Sequence, residues 1–225
     1  MKSESHVVLL GDSIFDNAAY TSGGPDVVTQ LRRLLPGGWS ASLLAVDGAR
    51  TEDVTRQLAQ LPRDAGHLVL SVGGNDALAH GDLLDGPAAS AARILGFLAD
   101  AASQFERRYR AVVVQLLQRK LPLTICTIYN GNFPDPELQR IAATALCVFN
   151  DAILRVAFEH ALTVIDLRLI CSKPADYANP IEPSSEGGAK IARGILEAVT
   201  PVSTAALARV VASPGLVTSH HNSGE

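Results

Sequence analysis

What most constrains the fold of this chain is a rhythm. Short aliphatic runs, each too brief for a helix, alternate with longer segments whose apolar residues recur every three or four positions. The runs HVVLL (6–10), ASLLAV (41–46), HLVLSV (67–72), LPLTICTIY (121–129) and LTVIDL (162–167) read as five strands. Between them, residues 25–35 place Val27, Val28, Leu31, Leu34 and Leu35 at helical spacing. Further helices are predicted over 51–61 (with Thr51 as its cap), from about Pro87 to Tyr109, from about Pro136 to Glu159, and from about Ser185 to Val199. The last carries the stripe Ile191, Ile195, Leu196 and Val199. Such alternation means an α/β protein with a five-stranded parallel sheet covered by helices on both faces. No repeat or linker breaks the pattern. Residues 1–200 are therefore read as one α/β domain, and 201–225, ending in TSHHNSGE, as a loosely docked or disordered tail.

Composition excludes several functions. Of the 225 residues 47% are hydrophobic, enough for a substantial core. The formal net charge is -4 with no basic block, so neither nucleic acid nor a membrane surface is an expected partner. Runs such as LPLTICTIY are too short to span a bilayer. The N-terminal MKSESHVVLLGDS lacks a signal-peptide core, which predicts a cytoplasmic protein. Cys126, Cys147 and Cys171 form no CxxC pair and are expected as reduced thiols in apolar surroundings.

In open parallel sheets, ligands bind beyond the carboxyl ends of the strands. There the first strand runs into GDSIFDN, the second into VDGART and the third into VGGNDAL. A serine on the turn after a buried strand, Ser13, can present its hydroxyl to an acyl carbonyl. Gly48 is either a turn glycine or a backbone N–H free to meet an oxyanion. Asn75 either closes a turn or offers its amide as another donor, a contact worth about 3–4 kcal/mol in a transition state.

Taken together, GDSI with Ser13, VDGART with Gly48 and GGND with Asn75 resemble the GDSL or SGNH hydrolase family over nearly the whole chain. The resemblance implies a flavodoxin-like three-layer sandwich and hydrolysis of small-molecule carboxylic esters without cofactor or metal. It also implies Ser13 as nucleophile, with the Ser13 and Gly48 N–H groups and the Asn75 side chain as the oxyanion hole. The oligomeric state is left open.

The family's last block, Asp-x-x-His-Pro, reads here Asn179-Pro180-Ile181-Glu182-Pro183, with Gly187 and Gly188 in the helix that follows. Glu182 thus stands in the histidine's place and Asn179 in the aspartate's. His6, His67 and His160 precede or begin strands, at the wrong edge of the sheet, and His220 and His221 lie in the tail. Only His80 follows Asn75 at the right edge. The paired change is coherent: a glutamate base starts negative, so a neighbouring aspartate would repel it, whereas asparagine is compatible. Glu182 is therefore expected as general base, with Asp12 or another carboxylate as the alternative base. At an ordinary pKa of about 4.3 it would be weaker than histidine by roughly two units. Asp12 is otherwise expected to accept from backbone amides of its turn, and Asp176 to position the last block. The rival expectation is a catalytically weak or inactive binding module for acyl or carbohydrate ligands.

Overall fold

The computed structural model describes residues 5–81 and 90–200. Five strands, β1 (His6–Gly11), β2 (Ser40–Leu43), β3 (His67–Ser71), β4 (Leu123–Cys126) and β5 (Thr163–Ile165), form one sheet. Its order is β2-β1-β3-β4-β5 and every neighbouring pair is parallel. This is the flavodoxin-like order, in which the crossovers change direction at β1 and open a crevice beside it. The predicted fold class is the observed one.

The sheet is buried on both sides, which is why its strands read as continuous apolar runs. One face, with Val8, Leu10, Leu68, Leu70, Leu123 and Ile125, packs under α2 (Val54–Leu58), α4 (Ala91–Leu117) and α5 (Pro136–Glu159). The other face, with Val7, Leu9, Val69, Cys126 and Ile165, packs under α1 (Val27–Leu34) and α7 (Ser185–Val199). Two short helices, α3 (Gly74–Leu78) and α6 (Leu167–Ile170), follow β3 and β5.

The helix expected over 51–61 is shorter, a 3₁₀ turn at Thr51–Asp53 running into α2. Thr51 lies inside that turn rather than capping it, because its N–H and hydroxyl both donate to Asp76 (2.9 Å each). The helix expected to stop at Tyr109 continues to Leu117: Ala101, Phe105, Tyr109, Val112, Val113 and Leu116 form one buried stripe. The run AVVVQLL looks strand-like by composition, and that stripe overrides it. The expected start at Pro87 and the tail from 201 fall outside the described residues. Cys126 and Cys171 are buried free thiols as expected, but Cys147 is exposed on α5.

By length and composition α5 is apolar enough to cross a bilayer, with a mean hydropathy of 1.7 over its most apolar stretch. Inspection of short uninterrupted runs missed this property. Only 33% of that stretch is buried, so much of its apolar surface faces something other than the core.

Candidate active site

The turn that carries Ser13 begins where β1 meets its neighbours. Gly11 has φ +127°, and a Cβ there would stand 1.7 Å from the Ser71 carbonyl oxygen, so a side chain would force β1 and β3 apart. Gln57 of α2 clamps this residue from above. Its Oε1 accepts from the Gly11 N–H (2.8 Å), and its Nε2 donates to the Gly11 carbonyl (2.7 Å). The Asp12 N–H then donates to the Ser71 carbonyl (3.1 Å), and the Phe15 and Asp16 N–H groups fold back onto the Asp12 carbonyl (3.1 Å each). Ser13 sits at the tip of this turn, 6% exposed. Its N–H donates to no group among the described residues.

Gly48 follows β2 in an exposed turn with φ +77°, and a Cβ there would meet nothing within 4 Å. Conformation rather than space selects glycine here. Asn75, in the first turn of α3, donates one amide hydrogen to the Ala49 carbonyl (3.0 Å), leaving its second N–H to point elsewhere. Buried Asp76 ties the same two loops together through Thr51.

Glu182 lies in a loop fastened from several sides. Tyr129, beyond β4, donates its hydroxyl to the Ile181 carbonyl (2.6 Å) and stacks edge-on against Tyr177, ring centroids 5.1 Å apart. The Ala178 N–H donates to the Glu182 carbonyl (2.9 Å) and the Asn132 N–H to the Pro180 carbonyl (2.8 Å). Nδ2 of Asn17 donates to the Pro183 carbonyl (3.2 Å). Asn179 is exposed, and its Oδ1 accepts from the N–H groups of Ile181 and Glu182 (2.9 Å each). It caps the turn that carries Glu182 and has no hydrogen bond to the Glu182 carboxyl. Asp176 is fully buried. Its Oδ2 accepts from the N–H groups of Ser172 (3.0 Å) and Lys173 (2.9 Å), while Oδ1 meets Lys190 Nζ (2.5 Å). Burial alone would raise its pKa, but Lys190 and these N–H groups hold it below the usual value.

Glu182 is only 7% exposed, and its Oε2 is buried without a hydrogen-bond partner among the described residues. Burial raises its pKa above the ordinary 4.5, and the charge of Asp47 adds to the rise. The nearby Ser13 hydroxyl pulls the other way, favouring the ionised form. Ser13 and Glu182 are thus brought together.

Both line a half-open cavity of about 370 Å³, and so do Asp12 and Asn75. Its far reach is apolar: Ile128, Phe133, Leu138, Ala145, Leu146 and Phe149, most of them from α5. Part of the apolar surface of α5 thus lines the cavity. Gly48 is not among the lining residues. His80 does line the cavity, with its ring 6.3 Å from that of Phe149. The other histidines of the described residues lie elsewhere: His6 and His67 bond Ser42 and Thr124, and His160 follows α5. Among the described residues no group of three or more His, Cys, Asp or Glu is arranged to hold a metal ion.

Sequence reasoning did not anticipate Tyr129, Gln57 or Asn17. Tyr129 offered a signal, an aromatic residue with a polar tip just past a strand's carboxyl end. Gln57 and Asn17 gave none, because their partners are backbone groups remote in sequence.

A flavodoxin-like sheet presenting a serine at the end of β1, with strand-end donors and a buried carboxyl around it, is an arrangement suited to hydrolysing an ester. Residues 9–190 match the GDSL-like lipase/acylhydrolase family, and the chain belongs to it. It is a carboxylic ester hydrolase. Comparison with the curated proteins gives no match. Solved structures share the fold. An extracellular lipase from Streptomyces rimosus is 20% identical, with 87% of this chain and 100% of that one covered at a TM-score of 0.63. A lipase from a goat rumen metagenome is 18% identical, with 87% and 97% covered and a TM-score of 0.67. The acetyl xylan esterase AlAXEase is 19% identical, with 87% and 100% covered and a TM-score of 0.62.

Proposed function

We propose that this chain hydrolyses acyl esters through a Ser13–Glu182 dyad. The Ser13 hydroxyl attacks the ester carbonyl while Glu182 takes its proton. The developing oxyanion meets the Ser13 N–H, the Gly48 N–H and the free N–H of Asn75. Glu182, now neutral, returns the proton to the leaving alcohol, and a water repeats the sequence in reverse to release the acid and restore Ser13. The observation that carries the reading is buried Glu182, which lines the same cavity as Ser13 and keeps one carboxyl oxygen unpartnered. Its raised pKa makes it a stronger base than an exposed glutamate, narrowing the gap to histidine.

The cavity supports an acyl group longer than acetyl. It opens beside Ser13 and is apolar beyond the reacting centre, so it suits a hydrocarbon chain with the ester at its polar end.

The test is turnover of a short-chain aryl ester. Ser13→Ala is expected to abolish it. Glu182→Gln, nearly isosteric, is expected to lower kcat at least tenfold, and by up to the ~10²–10⁴ that proton transfer contributes, with an unchanged melting curve. Full activity in the Glu182→Gln protein would remove the dyad. Ester binding without any Ser13-dependent turnover would favour the binding module.

A further inference from the structure

We propose that Asp12 enters the reaction as a neutral carboxylic acid, keeping its proton while Glu182 works ionised, so that the cleft holds a single unpaired negative charge when the oxyanion forms. The inference rests on the reading of Glu182 as the base.

Two buried aspartates, Asp12 lining the cavity and Asp76 behind it, make the case by contrast. Asp76 is 4% exposed and is supplied with donors: the Thr51 N–H, the Thr51 hydroxyl and, at 3.7 Å, the Arg108 guanidinium. Asp12 is 3% exposed and accepts one hydrogen bond, from the Ile14 N–H to Oδ1 at 3.2 Å. No cation lies within ion-pair distance of it among the described residues. The titratable groups that face it are Glu182 from the loop before α7, Asp76 from α3, Cys126 from β4 and Tyr129 beyond β4. Every one is either negative or neutral. Nothing in that list compensates a second buried charge, whereas a proton on Asp12 removes the need for compensation.

The titration behaviour agrees with the geometry. Burial is the largest influence on Asp12 and raises its pKa, the Ile14 N–H opposes it, and the charges of Glu182 and Asp76 raise it further, from 3.8 to about 8. Burial raises the Glu182 pKa too, but the Ser13 hydroxyl beside it favours the ionised form. Two carboxyls whose surroundings separate their pKa values divide the labour of a site: one works as a base, the other stays neutral. Without its proton, Asp12 would put a further charge beside the forming oxyanion, which its low-dielectric surroundings would not screen.

Two consequences follow. Activity is lost on the alkaline side when Asp12 ionises, while the acid limb belongs to Glu182. Stability is linked to the same proton. The folded pKa lies above the unfolded one, so the contribution is complete below about 3.8 and is lost as pH rises through about 8.

The experiment is the pH profile of kcat/KM for a short-chain aryl ester, from pH 5 to 10, in the wild type and Asp12→Asn. The wild type is expected to fall about tenfold per pH unit above pH 8. In Asp12→Asn the ratio of the pH 9 to the pH 7 value is expected to rise about tenfold over the wild-type ratio. An alkaline fall with the same midpoint in both proteins overturns the proposal. So does the loss of all turnover at every pH in a folded Asp12→Asn protein, which would make Asp12 the base. An infrared titration needs neither turnover nor that variant. A protonated-carboxyl carbonyl band is expected to persist at pH 7 in the wild type and in Glu182→Gln, and its absence from both overturns the proposal. Full activity in Glu182→Gln would end the dyad yet leave this band in place, so the two readings fail separately.

Discussion

Replacing Ala145 by phenylalanine tests what the cavity beside Ser13 is for. Ala145 lines the cavity wall on α5, so six ring carbons at this position project into its apolar reach. At roughly 30 Å³ per heavy atom, a water molecule's share of the liquid, the 370 Å³ cavity takes about twelve atoms of chain. On that scale the ring removes about half of the room. Each buried methylene contributes ~0.8 kcal/mol, about fourfold in kcat/KM. Six lost methylenes would therefore cost about 5 kcal/mol if fully enclosed. The cavity is half open, so about half of that, a loss near 10²-fold, is the working expectation for a decanoyl ester. The assay is kcat/KM for a series of aryl esters from acetyl to dodecanoyl. The wild-type protein should climb with chain length to about decanoyl. Ala145→Phe should break that climb at about half the length and leave acetyl turnover within a fewfold. A wild-type profile flat from acetyl to decanoyl, or a variant weakened equally at every length, would show that the acyl group lies elsewhere.

Other substitutions probe the seat of Glu182. Tyr129→Phe leaves the Ile181 carbonyl without its donor and should cost about 1–3 kcal/mol in urea unfolding. It should also lower kcat more than it raises KM, because the base loses its aim rather than the pocket its shape; equal kcat in the two proteins would deny Tyr129 that role. Asp176→Asn removes a buried carboxylate from Lys190 and two backbone N–H groups and should destabilise by about 2–4 kcal/mol at pH 7. The folded pKa of Asp176 is depressed, so its contribution is present above the unfolded value of 3.8 and fades as pH falls below it. The difference between the two melting curves should narrow accordingly, and a constant gap down to pH 3 would contradict that account.

The architecture was legible because both faces of a parallel sheet are buried and its strands must be aliphatic throughout. Val8 and Leu10 serve one core and Val7 and Leu9 the other, so no polar residue interrupts the run. The limits of the helices were less legible. The length of α4 depends on a buried stripe that continues through β-branched residues, and Thr51 trades a capping position for a bond to Asp76, 25 residues away. At the site, Ser13, Asn75 and Asp12 were visible from strand-end placement, and Glu182 from the register of residues 179–183 against the family's last block. What the sequence left hidden was the direction of each side chain: that Asn179 turns its amide oxygen to the backbone, that Gln57 brackets Gly11, and that Tyr129 reaches Ile181. Such contacts join groups 46 to 52 residues apart in the latter two cases, and no local pattern encodes them.

The fastening of the 178–183 segment bears on any attempt to redesign it. Its carbonyls and amides are engaged at nearly every position, so a new residue at 182 would inherit a fixed location and little freedom to adjust. An imidazole installed there by Glu182→His would find its pedestal ready but no acid behind it, because position 179 faces solvent with its oxygen already occupied. Conversion to a three-membered relay would require rebuilding that corner of the backbone as well as exchanging the side chain.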